Sequence, residues 1–358
     1  MQLKWSLALV LVPLAVGCGR APPRPQRGEL SLHAGYYADN DHVTVANPSV
    51  RARVPLSRRV TAHAGYGLDI ISAASVDVVA SASRSVERRH DSTLGAQVAL
   101  DPLTTVTVTG RDSREPDYRS DGLTASLDRE TAARDRRLRL ELRSRWDRVG
   151  PGWVLQQPAD LYAGALAASV TQVVNRLTIV RVGLQVEGLS GFQSSVYRYV
   201  PVAGQWVPER VPDARGRAAA TVRMQRSVRP GLAVTAEYGL TADTWGLVAH
   251  AGELGLRWEP TRTLLVDFRT RVMRQSATDF YQGDYTALTA WRTRDRLLGA
   301  MSTLWPQLSV QWVWPAWPAP PTWSVGLRAT WMHQQFDDYA PLRSRDAATG
   351  EAWFTRYF

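Results

Sequence analysis

The sequence has few of the features that mark disulfide-rich secreted proteins or helical membrane proteins. Its 358 residues include one cysteine, Cys18, so a disulfide within one chain is excluded. Past the N-terminal leader, no stretch approaches the roughly 20 consecutive apolar residues that a membrane-spanning helix needs. The chain is therefore not an α-helical membrane protein beyond that leader. Lysine is also scarce: Lys4 is the only one, and arginine supplies the rest of the positive charge.

The common motifs of catalysis and of cofactor binding are missing as well. None of the six histidines lies in a Ser/His/Asp or paired-acid pattern, which a hydrolase would need. His333 with Asp337 and Asp338 comes nearest, at a predicted strand end where a solvated rim is the simpler interpretation. The acidic tip Asp39–His42 offers oxygen ligands but lacks the glycine and distal glutamate of a calcium loop. We predict that the protein is not an enzyme and has neither a cofactor nor a metal site.

What the sequence does contain is alternation, most clearly in Arg136–Trp146, which reads RRLRLELRSRW. One parity carries three leucines, then Ser144 and Trp146, and the other carries four arginines and Glu141. A strand sends successive side chains to opposite faces, so this segment has one apolar and one ionic face. Soluble sandwiches rarely place a row of ionic groups on one face. A transmembrane barrel needs this pattern, with apolar residues toward lipid and polar residues toward a wet lumen.

The first residues have the pattern of an export signal. Met1–Gly17 combines the positive Lys4 with a short apolar core and small residues before a cleavage point. Cys18 follows directly, so cleavage is either of the lipoprotein type, with Cys18 acylated, or simple. Ala15 departs from the larger aliphatic residue that a lipoprotein signal prefers at that position. Residues 18–28 form a spacer rich in proline and arginine.

From Glu29 onward, alternating segments are separated by turn signals. Short connections contain Asp-Pro, Asn-Arg, Pro-Gly or Glu-Pro pairs, and they alternate with long ones such as Ser190–Gly216 and Gln275–Ala290. Outer-membrane barrels have short periplasmic turns and long outer loops. Residues 29–358 are therefore predicted to form an all-β domain, a single antiparallel transmembrane β-barrel of about 16 strands (range roughly 14–18). Among the predicted strands, Arg294–Val313 is hard to bound because it contains a proline, and Ala352–Phe358 is the last.

The chain ends in Phe358, close behind other aromatic residues. This resembles the terminal strand of outer-membrane barrels, whose last aromatic residue is read by the assembly machinery, although Arg356 stands where a hydrophobic residue is usual. We expect the outer membrane of a Gram-negative bacterium, with lipid and the barrel assembly machinery as partners. The net charge of +10 is explained by a cationic lumen or surface, so we expect no nucleic acid partner.

The ionic parity of the predicted strands gives the candidate lumen wall. Two interpretations are open: opposed charges that fill and stiffen the lumen by cross-strand pairing, or a net-positive surface that favours anions in a pore. The candidate lumen-lining residues are Arg137, Arg139, Glu141, Arg143, Arg145, Arg181, Glu187, Arg223, Glu237, Glu253, Asp267, Arg269, Arg271 and Arg328.

Several loop motifs admit both a structural and a functional interpretation. Asp243 with Trp245 and Gly246 indicates a compact tip held by a side-chain-to-backbone bond at Asp243. The segment Asp279–Tyr285 forms either an aromatic and acidic surface patch or part of an interfacial girdle. The charged residues of Glu209–Arg217 are expected to join a loop to the wall.

Several stretches resemble one family of Gram-negative proteins, the domain-of-unknown-function family numbered thirty-five-seventy. The resemblance implies an outer-membrane barrel. Genes of the family often lie near genes for periplasmic flavin transferases and thioredoxin-like proteins, which implies a functional link to them. No activity is established for the family. Ala73 stands where the family usually has glycine, which affects a local turn rather than the fold. The stretches are Leu68–Ser83, Ser113–Ser120, Thr171–Thr178, Gly191–Val200, Glu209–Arg217, Tyr238–Leu254 and Arg271–Tyr285.

Three functional hypotheses follow from these observations. The first is a channel or envelope transport component that serves a periplasmic flavin-linked or redox system. The second is a plugged barrel with a structural role, or one whose loops bind another envelope protein. The third and weakest is an enzyme embedded in a barrel. Discrete, anion-biased currents in liposomes would favour the first hypothesis over the second.

Overall fold

A closed antiparallel barrel of sixteen strands and a separate two-stranded hairpin make up the computed structural model. It describes residues 27–72, 86–150, 158–315 and 320–358. The predicted leader, Cys18 and Ala73 lie outside these residues. The barrel strands are β1 (Glu29–Asp39), β2 (Thr44–Pro55), β3 (Val60–Ser72), β4 (Val86–Asp101), β5 (Thr104–Arg114), β6 (Tyr118–Glu130), β7 (Arg136–Val149), β8 (Ala159–Asn175), β9 (Thr178–Gly191), β12 (Ala214–Arg229), β13 (Leu232–Asp243), β14 (Val248–Trp258), β15 (Leu264–Gln275), β16 (Met301–Trp314), β17 (Trp323–Phe336) and β18 (Ser344–Tyr357), and the hairpin is β10 (Tyr199–Val202) with β11 (Gln205–Pro208).

Consecutive strands are neighbours throughout the barrel, and β1 pairs with β18 to close it. The exception is β9, which pairs directly with β12 because the hairpin lies outside the wall. Closure leaves the barrel wall without an unpaired edge, as a strand-built membrane protein requires. The predicted fold class and the strand number of about 16 are confirmed. Within the described residues, no helix has the length and apolar character needed to cross a membrane.

The alternation predicted for Arg136–Trp146 is present in β7 and continues around the barrel. Leu142, Leu166 and Val186 lie side by side on β7, β8 and β9, and they are 59%, 52% and 55% exposed. Exposed leucine and valine in register on successive strands form an apolar outer belt. Trp146 and Trp312 lie toward opposite ends of the strands on the same outer face, as expected for interfacial aromatic residues.

The connections divide between two rims. One rim holds the start of β1 and the end of β18, and we call it the turn rim. Its described connections are 56–59, 102–103, 131–135, 176–177, 230–231 and 259–263. The opposite rim, which holds 40–43, 115–117, 192–213, 244–247, 276–300 and 337–343, is the loop rim. The predicted asymmetry is present, because the longest described connections all lie on the loop rim. Three described connections there are nevertheless short, namely 40–43, 115–117 and 244–247.

Three predicted boundaries were wrong. Residues 294–300 precede β16 rather than starting it, and β18 begins at Ser344 instead of Ala352. The predicted loop Ser190–Gly216 contains the hairpin and the first residues of β12. In the first and third cases, side chains buried at the loop rim decide the conformation, which periodicity alone does not reveal.

Most of the buried apolar side chains lie at the loop rim, not in the wall. One cluster joins Val211, Trp245, Tyr281 and Leu298. The other two are Val200 with Val202 and Tyr285, and Met301 with Phe336 and Tyr339. Connections 192–213 and 276–300 supply most of these residues, and we call this pair of segments the lid.

Candidate functional site

The predicted lumen residues of β7 lie on the face opposite the leucines of the outer belt, and they are paired with acids. Asp128 on β6 accepts hydrogen bonds from Arg137 and Arg139, both at 3.0 Å. Glu141 lies 2.7 Å from Arg139 and 2.7 Å from Arg143. The arginine row of this strand therefore forms a continuous ionic ladder.

The other predicted lumen residues follow the same pattern on β9 to β18. Their carboxylates lie beside arginines on the same or the adjacent strand, so pairing with an acid is the general rule of this wall. The pairs are Arg217–Glu187 at 3.4 Å, Arg223–Glu237 at 3.7 Å, Arg269–Asp267 at 2.6 Å, Arg269–Glu253 at 3.9 Å and Arg328–Glu351 at 2.9 Å. Arg145, the last of the predicted β7 set, pairs with Asp147 at 2.8 Å.

Two predicted lumen arginines depart from this rule. Arg181 donates to Ser169 Oγ at 3.3 Å and lies directly opposite Arg223 on the neighbouring strand. Arg271 lies opposite Glu253, yet within the described part of the chain neither Arg181 nor Arg271 has a carboxylate within 4.0 Å. Pairing, the first interpretation drawn from the sequence, thus accounts for most of these charges. The second interpretation, a surface that favours anions in a pore, stays a prediction that concerns Arg181 and Arg271.

The lid closes over the loop rim as one folded unit. Arg210 N donates to Arg292 O at 3.0 Å, and Arg292 N donates to Arg210 O at 2.7 Å. The hairpin adds Ala203 N to Tyr285 O at 2.8 Å, and Val200 and Val202 pack on the same tyrosine. Main-chain pairing and apolar packing thus join segments 192–213 and 276–300.

Buried ionic contacts hold these two segments together. Glu209, whose side chain is fully buried, accepts from Ser195 N at 2.6 Å and pairs with Arg198 at 3.2 Å. The hydroxyl of Thr293 donates to the same carboxylate from the other segment. Arg198 also pairs with Asp295 at 3.0 Å. We call Glu209, Arg198, Thr293 and Asp295 the clamp.

The lid also contacts connections on different sides of the mouth. Arg296 pairs with Asp41 at 2.5 Å, and Tyr197 donates to Asp117 at 2.6 Å. Tyr281 donates to Asp338 O at 2.6 Å. These partners lie between β1 and β2, β5 and β6, and β17 and β18. Because β1 and β9 stand on opposite sides of the ring, the lid spans the mouth.

A cavity of about 190 Å³ lies beneath the lid against β12 to β15. Its wall includes Glu237, Glu253 and Arg271, and the lid contributes Asp295 and Leu298. The same strand faces that carry the predicted lumen charges are therefore the ones the lid covers.

The loop motifs have mixed outcomes. Asp243 accepts from Trp245 N at 2.9 Å and from Leu247 N at 3.1 Å, which confirms the predicted tip. Gly246 adopts a φ of 82°, and a Cβ there would lie 2.0 Å from a carboxylate oxygen of Asp279, so this turn requires glycine. Tyr281 and Tyr285 are buried in the lid. They form neither a surface patch nor a girdle, because tertiary contacts within the lid bury them.

The predicted charge network within Glu209–Arg217 divides into separate contacts. Glu209 belongs to the clamp, and Arg217 pairs with Glu187 on the wall. Arg215 pairs with Asp243 and lies 4.2 Å above the ring of Trp245. No local pattern in the sequence indicates Arg198, Thr293, Asp295 or Arg296. The contacts that give them their role join Arg198 to Asp295, Thr293 to Glu209 and Arg296 to Asp41, across 97, 84 and 255 residues of chain.

The other candidate polar sites are structural in the described residues. Asp39 accepts from Asp41 N and Val43 N at 3.0 and 2.9 Å, so the acidic tip is a capped turn that also supplies Asp41 to the lid. His333 pairs with Asp346 at 2.8 Å rather than with the acids that follow it. Asp337 instead pairs with Arg274.

Burial shifts the acidity of two loop-rim side chains outside the barrel strands. Burial raises the pKa of Glu115 to about 7, and Arg89 opposes that rise from 3.8 Å. Burial also raises the pKa of Tyr197, assisted by its hydrogen bond to Asp117. The lid margin thus contains a carboxyl group that titrates near neutral pH.

Comparison with known proteins agrees with this architecture. The family described as "Protein of unknown function (DUF3570)" matches residues 156–312, which confirms over that part of the chain the resemblance seen in its motifs. No curated protein matches the sequence. A solved bacterial polysaccharide outer membrane secretin is similar with a TM-score of 0.56 at 11% identity, covering 92% of this chain and 98% of that one.

Two further solved structures are similar at lower scores. The siderophore receptor PirA from Pseudomonas aeruginosa has a TM-score of 0.48 at 13% identity, covering 87% of this chain and 57% of the receptor. This chain thus spans a little over half the receptor's length. The monoaromatic hydrocarbon channel CymD has a TM-score of 0.43 at 9% identity, covering 93% of this chain and 89% of that one. At 11% identity, the likeness to the secretin shows the fold alone.

Proposed function

We propose that this protein is a gated channel of the Gram-negative outer membrane, a component of envelope transport. One observation carries the proposal: a sixteen-strand polar lumen is covered at one mouth by a lid whose two segments pair with each other. Barrels of about 16 strands leave an aqueous channel unless loops obstruct them. Moving the lid would therefore open a route through the barrel without breaking a strand pair.

The membrane location is supported by the outer surface. Exposed leucine and valine side chains form a continuous apolar belt. An apolar surface of this extent is unfavourable in water and marks a surface that contacts lipid. The turn rim carries both ends of the barrel domain, and short turns face the periplasm in such barrels. We therefore assign the turn rim to the periplasm and the loop rim, with its lid, to the cell exterior.

The cargo and partners belong to the proposal as well. Arg181 and Arg271, which have no carboxylate within 4.0 Å in the described part of the chain, favour an anionic solute, because cationic side chains that line a pore attract anions. Phe358, which is 62% exposed, is available to the barrel assembly machinery. The family resemblance adds a periplasmic or envelope partner, linked to flavin or thiol redox chemistry. The protein contributes no catalysis in this scheme.

The second candidate is a permanently plugged barrel with a structural or protein-binding role. The burial of the clamp favours it, as does the pairing of most lumen charges. The two functions differ in a single property, which is whether the lid moves while the barrel stays intact.

Single-channel conductance in planar bilayers tests the proposal. The wild type should be closed for most of the time, with brief openings. A variant in which residues 193–212 are replaced by a short Gly-Ser linker should conduct steadily and prefer anions. The matched control shortens the turn-rim connection 131–135 and should behave as the wild type. Closure of both the wild type and the lid variant would establish the plugged barrel instead.

A further inference from the structure

Charged side chains form a row on the outer face of the barrel, just below the loop rim. His90, Arg114, Arg119, Arg148 and Asp160 stand directly opposite one another on β4 to β8. Each lies on the outward parity of its strand, the parity of the exposed leucines Leu94 and Leu123. Three arginines are thus neighbours in register, an arrangement that like-charge repulsion disfavours without a compensating partner.

Carboxylates in and below this row supply part of that compensation. Arg114 Nε lies 2.8 Å from Asp112, and Arg119 Nε lies 3.1 Å from Asp121. The third arginine, Arg148, lies 3.9 Å from Asp160. The guanidinium groups remain open to the surroundings, because these three side chains are 61%, 47% and 73% exposed. Arginine has five N–H donors, so each retains donors for an external anion.

The row is confined to one part of the circumference. Most other strands end at the loop rim in small or uncharged outward residues, such as Thr44, Ser72 and Ser344. The outward Arg274 of β15 differs, but it pairs with Asp337 in the adjoining connection. Among the described residues, the outward positive charge at this rim is therefore concentrated on β4 to β7.

A crevice of about 330 Å³ lies where the row meets the apolar belt. It is lined by Arg119, Asp121, Trp146, Arg148, Asp160 and Tyr162, together with the rim residue Asp147. The crevice thus combines two cations with aromatic rings of the kind found at the membrane interface. Directly beyond it along the strands lie the apolar residues that contact acyl chains.

We propose that Arg114, Arg119 and Arg148 bind the phosphate groups of a phosphorylated glycolipid in the outer leaflet. Guanidinium groups match phosphate oxygens in geometry and charge, and the belt below them accommodates the acyl chains of the same molecule. A lipid presents a phosphate group next to hydrocarbon chains and so matches both the arginines and the belt. A free anion would match the arginines alone. This inference rests on the membrane location in the proposed function.

Native mass spectrometry of the detergent-purified full chain tests the inference. The probes are lipid A with two phosphates, its dephosphorylated form, and inorganic phosphate as a competitor. The variant R114Q/R119Q/R148Q should bind phosphorylated lipid A on the order of a hundredfold more weakly, because each arginine near an anionic lipid surface contributes about 1 kcal/mol of binding free energy. The control R129Q/R136Q/R226Q removes three exposed outward arginines near the turn rim and should bind as the wild type.

Each other outcome overturns the inference. Equal affinity for dephosphorylated lipid A, or an equal loss in both variants, would show that the row does not recognise the phosphate. Displacement by inorganic phosphate at equal concentration would show a free-anion site. Insertion into vesicles is measured in parallel, by heat-modifiable mobility and protection from protease. A barrel that inserts but lacks this lipid preference refutes only the lipid site, whereas a barrel that fails to insert refutes the proposed function.

Discussion

Replacing Glu209 by alanine is the sharpest perturbation of the lid. This carboxylate is fully buried and accepts from Ser195 N, Arg198 and Thr293, which belong to both lid segments. It makes no contact with the barrel wall among its described hydrogen bonds and ion pairs. E209A should therefore loosen the lid while the wall stays closed.

The size of the effect follows from the contacts that remain. Removing one partner of a buried ion pair costs about 3–5 kcal/mol, mostly because the other charge is left uncompensated. Arg198 keeps its second carboxylate, Asp295, at 3.0 Å, so the lower end of that range applies. A loss of about 3 kcal/mol corresponds to a shift of roughly a hundredfold in the equilibrium between closed and open lid.

Conductance and hydrogen exchange together measure this shift. In E209A, the open probability should rise by roughly a hundredfold until it saturates, and amides of 192–213 should exchange faster while those of β7 stay protected. The matched control is R274Q, which removes an exposed ion pair at the same rim and should change the open probability little. Faster exchange with unchanged current would refute the reasoning, because a mobile lid would then not be the obstruction.

Three other predictions address the wall and the rim. L142R places an arginine in the middle of the apolar belt and should lower the free energy of unfolding in vesicles by about 2–4 kcal/mol, whereas L138R, near the turn rim, should cost about 1 kcal/mol or less. R181Q in a lid-shortened barrel should lower the ratio of chloride to potassium permeability, measured from reversal potentials, and an unchanged ratio would exclude this side chain from the ion path. Because the pKa of Glu115 is raised from 4.5 to about 7, the folded loop binds more protons than the unfolded one between those values. The stabilisation that protonated Glu115 gives the folded loop is thus complete below pH 4.5 and lost as the pH rises through 7. Amides of 115–117 should lose protection over that interval beyond the intrinsic rise in exchange rate, and E115Q should abolish the loss.

The wall was predictable because its constraint is local. A strand between lipid and water alternates at every residue, so Leu138–Leu142 and the intervening charges indicate which face is which without knowledge of any partner. Turn signals such as Pro230-Gly231 then divide the chain into hairpins. The strand number follows from counting these units, and the inward parity of Arg137 or Arg269 follows from the same rule.

The lid was not predictable, because nothing local distinguishes it from an ordinary long loop. Tyr285 resembles an interfacial tyrosine in the sequence, yet Val200 and Val202 bury it. Thr293 and Glu209 meet across 84 residues of chain, and neither lies in a recognisable motif. Which lumen charges form pairs could not be predicted for a similar reason. The register of neighbouring strands decides whether Arg139 meets Asp128, and alternation along one strand does not determine that register.

Stability in this molecule divides between two structures of different kinds. The wall is held by main-chain hydrogen bonds around a closed ring, which do not involve the lid. The lid is held by separate small apolar clusters and by the buried clamp. Units with separate sources of stability open separately, and the less stable one opens first. In the proposed function, the clamp breaks without the loss of any wall pairing, so that the closed and the conducting form are two states of one intact barrel.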